Sequence, residues 1–414
     1  MFDNQPRKER LVVVGNGMAA MRAVEELLAR EASRYAITVV GAEPQANYNR
    51  IQLSSLLAGE MTLDEIMINP MQWYEQNGIR LLAGRPVTAI DTRSKTVLVG
   101  NQPLPYDKLL LGTGSRPLAP PVPGLELEGV RPFRDVADAD AMIEAARQHK
   151  RAVVIGGGLL GLEAAWGLKR RGMDVAVVHL MPTLMERQLD ITAGELLRSA
   201  LEARGISFFT KADTEEIEGD ERVEGVRLVD GRMIEADFVV LAIGIRPNIE
   251  VARAAGLQVN RGILVGDDMC TSDPSIFAVG ECIEHNGLVF GLVAPIWEQA
   301  RVCGARLAGD QRSVYEPPPV FTSLKITGID VFSAGTLAAI DEADEEITLH
   351  DAQRGIYKKL ILRSERIVGS VLYGHVADGP WYVQLMRDKT NVAAFRDRLV
   401  FGRALGERTF LAQP

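Results

Sequence analysis

The strongest constraint on this chain is a pattern that it carries twice. Residues 10–14 (RLVVV) form an apolar run with the look of a buried strand. The run opens directly into Gly15-Asn16-Gly17-Met18-Ala19-Ala20, a helical pattern follows to about residue 30, and a second apolar run at 37–40 ends at Gly41-Ala42-Glu43. The same order recurs at 152–155, then Gly156-Gly157-Gly158-Leu159-Leu160-Gly161, a helix to about residue 171 and a strand at 174–179. Strand, glycine turn, helix and strand in that order make a parallel βαβ unit. Two copies in one chain commit most of it to two α/β units, each with its own glycine turn.

Such a turn suits a pyrophosphate. Glycine lacks a Cβ and lets an anion lie against backbone, and the helix N-terminus supplies free N–H donors and the positive end of a dipole. Gly15 and Gly17 fit the tight turn and the close approach. Met18 and Ala19 open the helix, and Ala20 takes the third position, where a small residue lets helix and strand meet. Glu43 stands where a strand-end carboxylate accepts hydrogen bonds from a ribose. The bland alternative is a tight turn with no ligand, but strand, helix and acid together favour a dinucleotide. The second copy has all three glycines, Gly156, Gly158 and Gly161, with Leu159 and Leu160 at the helix start. Its strand ends Val177-Val178-His179-Leu180, with neither the usual acid nor a basic pair for a 2′-phosphate. NADH is therefore the expected donor, and NADPH stays open.

The expected fold class is α/β, with two Rossmann-like dinucleotide-binding domains and a small α+β C-terminal domain. Strands at 108–111 and 237–242 leave the nucleotide units through Gly112-Thr113-Gly114-Ser115-Arg116-Pro117 and Ile243-Gly244-Ile245-Arg246-Pro247-Asn248. These turns read as crossovers between domains. They divide the chain into one discontinuous domain (1–115 and 243–315), a second (116–242) and a C-terminal domain (316–414). A strand at 275–279 ends at Gly280-Glu281, Ala294-Pro295 opens a helix over 296–308, and Glu316-Pro317-Pro318-Pro319 reads as a stiff linker. Beyond it, 320–332, 347–349, 356–362 and 367–372 alternate like antiparallel strands, and 381–398 reads as a final helix.

The balance of 46 basic and 55 acidic residues, net −9, argues against nucleic acid and against an anionic membrane surface as partners. No leader peptide and no apolar run of about 18 residues is recognisable, so no membrane span is expected. Cys270, Cys282 and Cys303 are too few and too scattered for a disulfide framework or a metal cluster. A cytoplasmic protein without a metal site is expected, and a homo-oligomer is compatible with the sequence.

Taken together, the two fingerprints, the turns at 112–114 and 243–248 and the Val279-Gly280-Glu281 segment resemble the FAD-dependent pyridine nucleotide–disulfide oxidoreductase superfamily over roughly residues 10–310. The resemblance implies glutathione-reductase-type domains. It implies FAD on Gly15, Gly17, Met18, Ala19, Ala20 and Glu43, with Thr113, Gly114 and Gly244 at the crossovers. Gly280 and Glu281 would hold the ribityl chain, although Glu281 is one methylene longer than the usual aspartate. NAD(P)H would lie on the second fingerprint. Arg50 is the candidate for flavin phosphate or ring contact, against a plain surface arginine. The helix start at Pro295 and Trp297 would turn its dipole toward the flavin pyrimidine. Glu163 either points toward the nicotinamide–flavin junction or is a solvated helix charge.

Runs at 48–55, 179–190, 280–287 and 291–300 are similar to a narrower group, the N-terminal FAD/NADH module of the large subunit of NADH-dependent assimilatory nitrite reductase. Those enzymes continue into iron–sulfur and sirohaem domains. This chain is thus expected to be a stand-alone FAD subunit or an N-terminal module, unable to reduce nitrite by itself. Disulfide reductases of the superfamily carry two cysteines in the loop after Glu43. Here that loop, 48–57, has Ser54 and Ser55 and no cysteine, and a hydroxyl cannot cycle through thiol redox states. Electrons from NADH are then expected to pass through FAD to a redox-protein partner: a sirohaem/iron–sulfur nitrite reductase component, a nitrate reductase, a rubredoxin or a ferredoxin. Two rivals stay open, a rubredoxin or ferredoxin reductase of another pathway and a slow, NADH-responsive regulatory flavoprotein.

Overall fold

The computed structural model describes residues 8–318, 321–324 and 326–406. Pro319, the last residue of the expected linker, and Val320, the start of the next expected strand, lie outside the described residues, as do residues 1–7. The chain divides into two compact units.

The first unit comprises residues 8–52, 62–116 and 245–318. Its central sheet is wholly parallel, in the order Ile276–Ala278, Lys108–Leu111, Glu9–Val14, Tyr35–Val40, Arg80–Leu82. Leu11, Val12, Val13, Leu109, Leu110 and Val39 are almost wholly buried. A sheet covered on both faces needs such continuous apolar strands. Glu9–Val14 lies between Tyr35–Val40 and Lys108–Leu111, so the strand order reverses at its carboxyl end, the place where open α/β sheets bind ligands. Helices Met18–Glu31 and Val293–Leu307 pack against each other. They approach closely because Gly304 has no side chain: a Cβ there would stand 2.5 Å from Glu26 Cβ.

The second unit comprises residues 53–61, 117–244 and, among those described, 321–324 and 326–406. It repeats the plan with a parallel sheet in the order Val130–Pro132, Phe238–Leu241, Arg151–Ile155, Asp174–His179, Ile206–Thr210. The short helix Leu53–Ala58 packs on helix Leu159–Arg170, where a Cβ on Gly167 would come within 2.6 Å of Leu57 Cγ. Its C-terminal part is a five-stranded antiparallel sheet backed by helix Gly379–Arg387. This part is tied to the parallel-sheet part of the unit through Asp190, the N-cap of helix Ile191–Glu202, which accepts a hydrogen bond from Tyr357 Oη at 2.6 Å. No helix of the described residues is long and apolar enough to cross a membrane.

Three expected elements are corrected. The helix expected over 296–308 spans Val293–Leu307, because Pro295 falls in the first turn, where the missing N–H has no intrahelical partner to lose. The run 320–332 is not one strand. Phe321–Ser323 and Val331–Gly335 pair antiparallel across a turn at Gly328, which has φ +74°. The final helix stops at Arg387, and a 3-10 segment, Ala393–Phe401, follows after Lys389 adopts φ +50°.

Candidate functional site: two nucleotide cradles

In the first cradle, Gly15 has φ +107°, and a Cβ there would stand 2.0 Å from Gly112 O. No other residue type fits. Gly17, the N-cap of helix Met18–Glu31, has ordinary extended angles, and a Cβ on it would meet no protein atom within 4 Å. Protein packing therefore does not require glycine at 17. What its bareness leaves is open space over the helix N-terminus, whose first turn, with Met18 and Ala19, carries no acidic side chain. Ala20 faces Gly112, where a Cβ would lie 2.6 Å from the alanine methyl.

The strand-end acid, Glu43, is held by two neighbours. Tyr48 Oη donates to Glu43 Oε2 at 2.6 Å, and Arg50 Nη2 pairs with Glu43 Oε1 while its guanidinium lies over the Tyr48 ring. Each oxygen keeps a lone pair for a ribose hydroxyl. Burial opposes the charge on Arg50, but Tyr48, Glu43 and Glu281 around it hold its pKa above the ordinary value. Arg50 is a half-buried member of this cluster. Ser115 Oγ donates to Glu281 Oε2 at 2.8 Å. Gly280 has φ +94°, and a Cβ on it would come within 2.8 Å of Ala19 Cβ, so the Gly280–Glu281 corner sits on the first fingerprint. The buried amide of Gln299 accepts from Gly280 N at 2.9 Å, which ties helix Val293–Leu307, with Pro295 buried and Trp297 half-buried, to the same corner.

Within this unit the strands Ser115–Pro117 and Ile245–Pro247 pair. Thr113 Oγ1 donates to Asn248 O at 2.8 Å, and Asn248 Nδ2 returns a bond to Thr113 O at 2.9 Å. Gly114 (φ +63°) and Gly244 (φ +124°) make the turns. Sequence reasoning missed what fixes Asn16. Tyr74 Oη donates to Asn16 Oδ1 at 2.6 Å, and Asn47 Nδ2 donates to Asn16 O at 2.9 Å. Burial pushes the Tyr74 phenol up to about 12, so it stays a donor at any physiological pH.

The second cradle repeats the logic. Gly156 has φ +122° against Ala242 O, and Gly158, the N-cap of helix Leu159–Arg170, would present a Cβ to empty space. A Cβ on Gly161 would stand 2.0 Å from Gly156 O. Leu159 is half-buried, and Leu160 is exposed at the same helix start. His179 is buried rather than presented to a ligand. Its Nδ1 accepts from Gly157 N at 3.0 Å, and a Cβ on Gly157 would collide with its ring at 2.7 Å. Glu163, on the second turn of the helix, is 5% exposed, which sets aside the solvated helix charge.

Both cradles offer bare backbone, a free helix N-terminus and room where a methyl would intrude, so they fit pyrophosphate groups. Cys282 and Cys303 are buried, and burial pushes both thiols up, away from the thiolate that redox exchange needs.

Residues 9–305 match the profile of the pyridine nucleotide-disulphide oxidoreductase family, and residues 319–390 match that of the rubredoxin NAD+ reductase C-terminal domain. The chain is 49% identical to an NAD(P)H nitrite reductase of Bacillus subtilis, over 93% of this chain and 48% of that protein. It is 44% identical to the assimilatory nitrate reductase electron transfer subunit of the same organism, over 90% of this chain and 48% of that protein. The chain thus spans about half the length of these curated relatives. Among solved structures, the covalent putidaredoxin reductase–putidaredoxin complex superposes with a TM-score of 0.86 at 26% identity, covering 98% of each chain.

Proposed function

The chain is a member of the pyridine nucleotide-disulphide oxidoreductase family, and from that premise we propose that it is an FAD-dependent NAD(P)H oxidoreductase that passes electrons to a redox-protein partner in nitrite or nitrate assimilation. The observation that carries this reading is the pair of cradles, each with a glycine whose missing Cβ leaves room that the protein itself does not fill. Bound FAD would supply the chemistry that side chains lack, the ability to take one hydride, carrying two electrons, and to release those electrons one at a time.

The residues divide the work. Gly15, Gly17, Met18, Ala19 and Ala20 seat the FAD pyrophosphate, and Glu43, braced by Tyr48 and Arg50, takes the adenosine ribose. Gly280 and Glu281 orient the ribityl chain, and Thr113, Gly114 and Gly244 form the crossovers beside it. The start of helix Val293–Leu307, at Pro295 and Trp297, turns its positive end toward the flavin pyrimidine. Gly156, Gly158, Leu159, Leu160 and Gly161 seat the nicotinamide donor, and Glu163 reaches toward its nicotinamide. The domain boundaries fall at the two crossovers, 115/116 and 242/243, and at the proline linker from 316. The loop of residues 48–57 holds no thiol, so no residue there stores the electrons, and they leave for another molecule.

The likeness to a nitrite reductase and to an assimilatory nitrate reductase electron transfer subunit of Bacillus subtilis favours nitrogen assimilation, and the C-terminal match keeps a rubredoxin or ferredoxin acceptor as the second reading. The test is steady-state NADH oxidation by the FAD-loaded chain with ferricyanide, then with a sirohaem nitrite reductase component, a rubredoxin and a ferredoxin. Fast turnover with ferricyanide and the sirohaem component is expected. Negligible turnover despite full FAD occupancy overturns the reductase reading, and transfer to rubredoxin alone overturns the pathway.

A further inference from the structure

The strand after the second fingerprint ends on His179 and not on an acid, yet a carboxylate reaches that place from further along the chain. Gly157 N–H points at His179 Nδ1 at 3.0 Å. A backbone amide can only donate, so Nδ1 is the acceptor and the neutral ring carries its hydrogen on Nε2. That Nε2 lies 3.1 Å from Glu186 Oε2 and 3.1 Å from Thr183 O. The segment that presents Glu186 is itself clamped to the fingerprint: Met185 N donates to Gly157 O at 3.0 Å, and Leu184 and Met185 are wholly buried. Gly157 therefore grips this segment from both sides of its residue, through its own N–H by way of His179 and through its carbonyl by way of Met185.

The result is a carboxylate, 27% exposed, fixed beside the glycine turn by a buried imidazole. Its second oxygen, Oε1, has Arg187 Nε at 4.0 Å, beyond hydrogen-bond reach, and the Arg187 side chain is 85% exposed. Lys211, whose backbone N donates to Met181 O at 3.2 Å, is exposed. Neither is a buried guanidinium fork of the kind that matches a phosphate bidentately.

We propose that Glu186, oriented by His179, is the carboxylate that accepts the 2′-hydroxyl of the adenosine ribose of NADH and excludes NADPH by repelling its 2′-phosphate. This rests on reading the second cradle as the nicotinamide dinucleotide site. Glu186 takes the part usually played by a strand-end acid, and His179 is the positioning residue that makes the substitution work. The hydroxyl donates to an acceptor with a free lone pair, whereas a phosphate brings charge of the same sign to a partly buried carboxylate.

The test uses the FAD-loaded full chain with ferricyanide and compares NADH, NADPH and 2′-deoxy-NADH. Losing one hydrogen bond to a charged acceptor changes affinity by about 10- to 150-fold. In the unaltered protein, KM for 2′-deoxy-NADH should exceed that for NADH by that factor. In Glu186→Gln, KM for NADH should rise by roughly tenfold with kcat nearly unchanged, and the ratio of kcat/KM for NADPH to that for NADH should rise by more than tenfold. His179→Gln should shift the same ratio in the same direction, which a merely loosened loop would not do. Equal KM for NADH and 2′-deoxy-NADH in the unaltered protein, or an unchanged cofactor ratio in Glu186→Gln, overturns the role of Glu186 and leaves the site reading standing. Failure of the unaltered protein to oxidise either dinucleotide overturns the site reading, and the proposal with it.

Discussion

Replacing Gly158 and Gly161 with alanine separates ligand space from packing space, because the two glycines share one turn and differ in what a methyl would meet. At Gly158 the backbone is extended (φ −81°, ψ −179°), and a Cβ meets nothing within 4 Å. Alanine is a poorer N-cap than glycine, a cost of about 1 kcal/mol. It also restricts the unfolded chain, which returns about 0.4–1 kcal/mol. Folding stability should therefore move by less than about 1 kcal/mol. The methyl would stand where a pyrophosphate must approach the helix N-terminus. Loss of one charge-assisted hydrogen bond, about 1.5–3 kcal/mol, raises KM for NADH by roughly 10- to 150-fold. At Gly161 the methyl would lie 2.0 Å from Gly156 O and 3.3 Å from Ala242 Cβ. The first neighbour is backbone and cannot turn aside, so overpacking should cost about 1–3 kcal/mol or more. Thermal unfolding, bound FAD by absorbance and NADH kinetics with ferricyanide read all three quantities. Gly158→Ala should unfold like the parent, keep its FAD and lose NADH affinity, whereas Gly161→Ala should lose stability first. An unchanged KM in a stable Gly158→Ala protein would refute the assignment of that space to the pyrophosphate.

The same argument carries to other positions. Gly17→Ala should fold normally and emerge from purification depleted of FAD, since its Cβ likewise meets no protein atom; full FAD retention would count against the first cradle. Gly304→Ala should lower the melting temperature, by about 1–3 kcal/mol of stability, because a Cβ there meets Ala23 O at 2.7 Å as well as Glu26 Cβ. Asp138 forms a capping box with Asp135, and burial, reinforced by the Asp135 charge, pushes its carboxyl up to about 6. A carboxyl raised on folding favours the neutral form, so its contribution is most favourable below pH about 4 and is lost as pH rises toward about 6. Asp138→Asn keeps an acceptor for the Arg134 and Asp135 N–H groups. It should therefore add about 1–3 kcal/mol at pH 7 and nothing below pH 4, measured by chemical denaturation across pH.

How far the sequence disclosed this molecule follows from how local each cause is. The inner strands of both sheets were legible because a parallel sheet buried on both faces requires continuous apolar runs such as Leu11–Val14 and Val153–Ile155. The turn at Gly15 and the turn at Gly156 were legible because positive φ beside a backbone carbonyl leaves one residue type. The split of 320–332 was within reach, since Thr327-Gly328 interrupts the run with a turn residue. The break after Arg387 was less so, because it depends on Asn391 Oδ1 accepting from Ala393 N at 3.0 Å to start a separate turn. The brace on Asn16 was out of reach: Tyr74 arrives from 58 positions away, and nothing in its neighbourhood marks it as a ligand-side residue.

The third position of the fingerprint shows why some of this information is pairwise. Taken alone, Ala20 looks like a weakened glycine and Gly161 like the ideal. In the structure each faces the residue that follows the neighbouring strand, Gly112 in the first unit and Ala242 in the second. The first pair is alanine against glycine, and the second is glycine against alanine. Each crossing thus holds one methyl, supplied by the helix in the first unit and by the strand end in the second, where Gly156 O, 2.0 Å from a Cβ on Gly161, closes the helix side. Gly112→Ala should destabilise the first unit, since its Cβ would lie 2.6 Å from the Ala20 methyl. The pair Gly112→Ala with Ala20→Gly should recover most of the loss, leaving the cost of glycine inside a helix, about 1 kcal/mol. If the double substitution unfolds as readily as Gly112→Ala alone, the crossing is not governed by the methyl it contains.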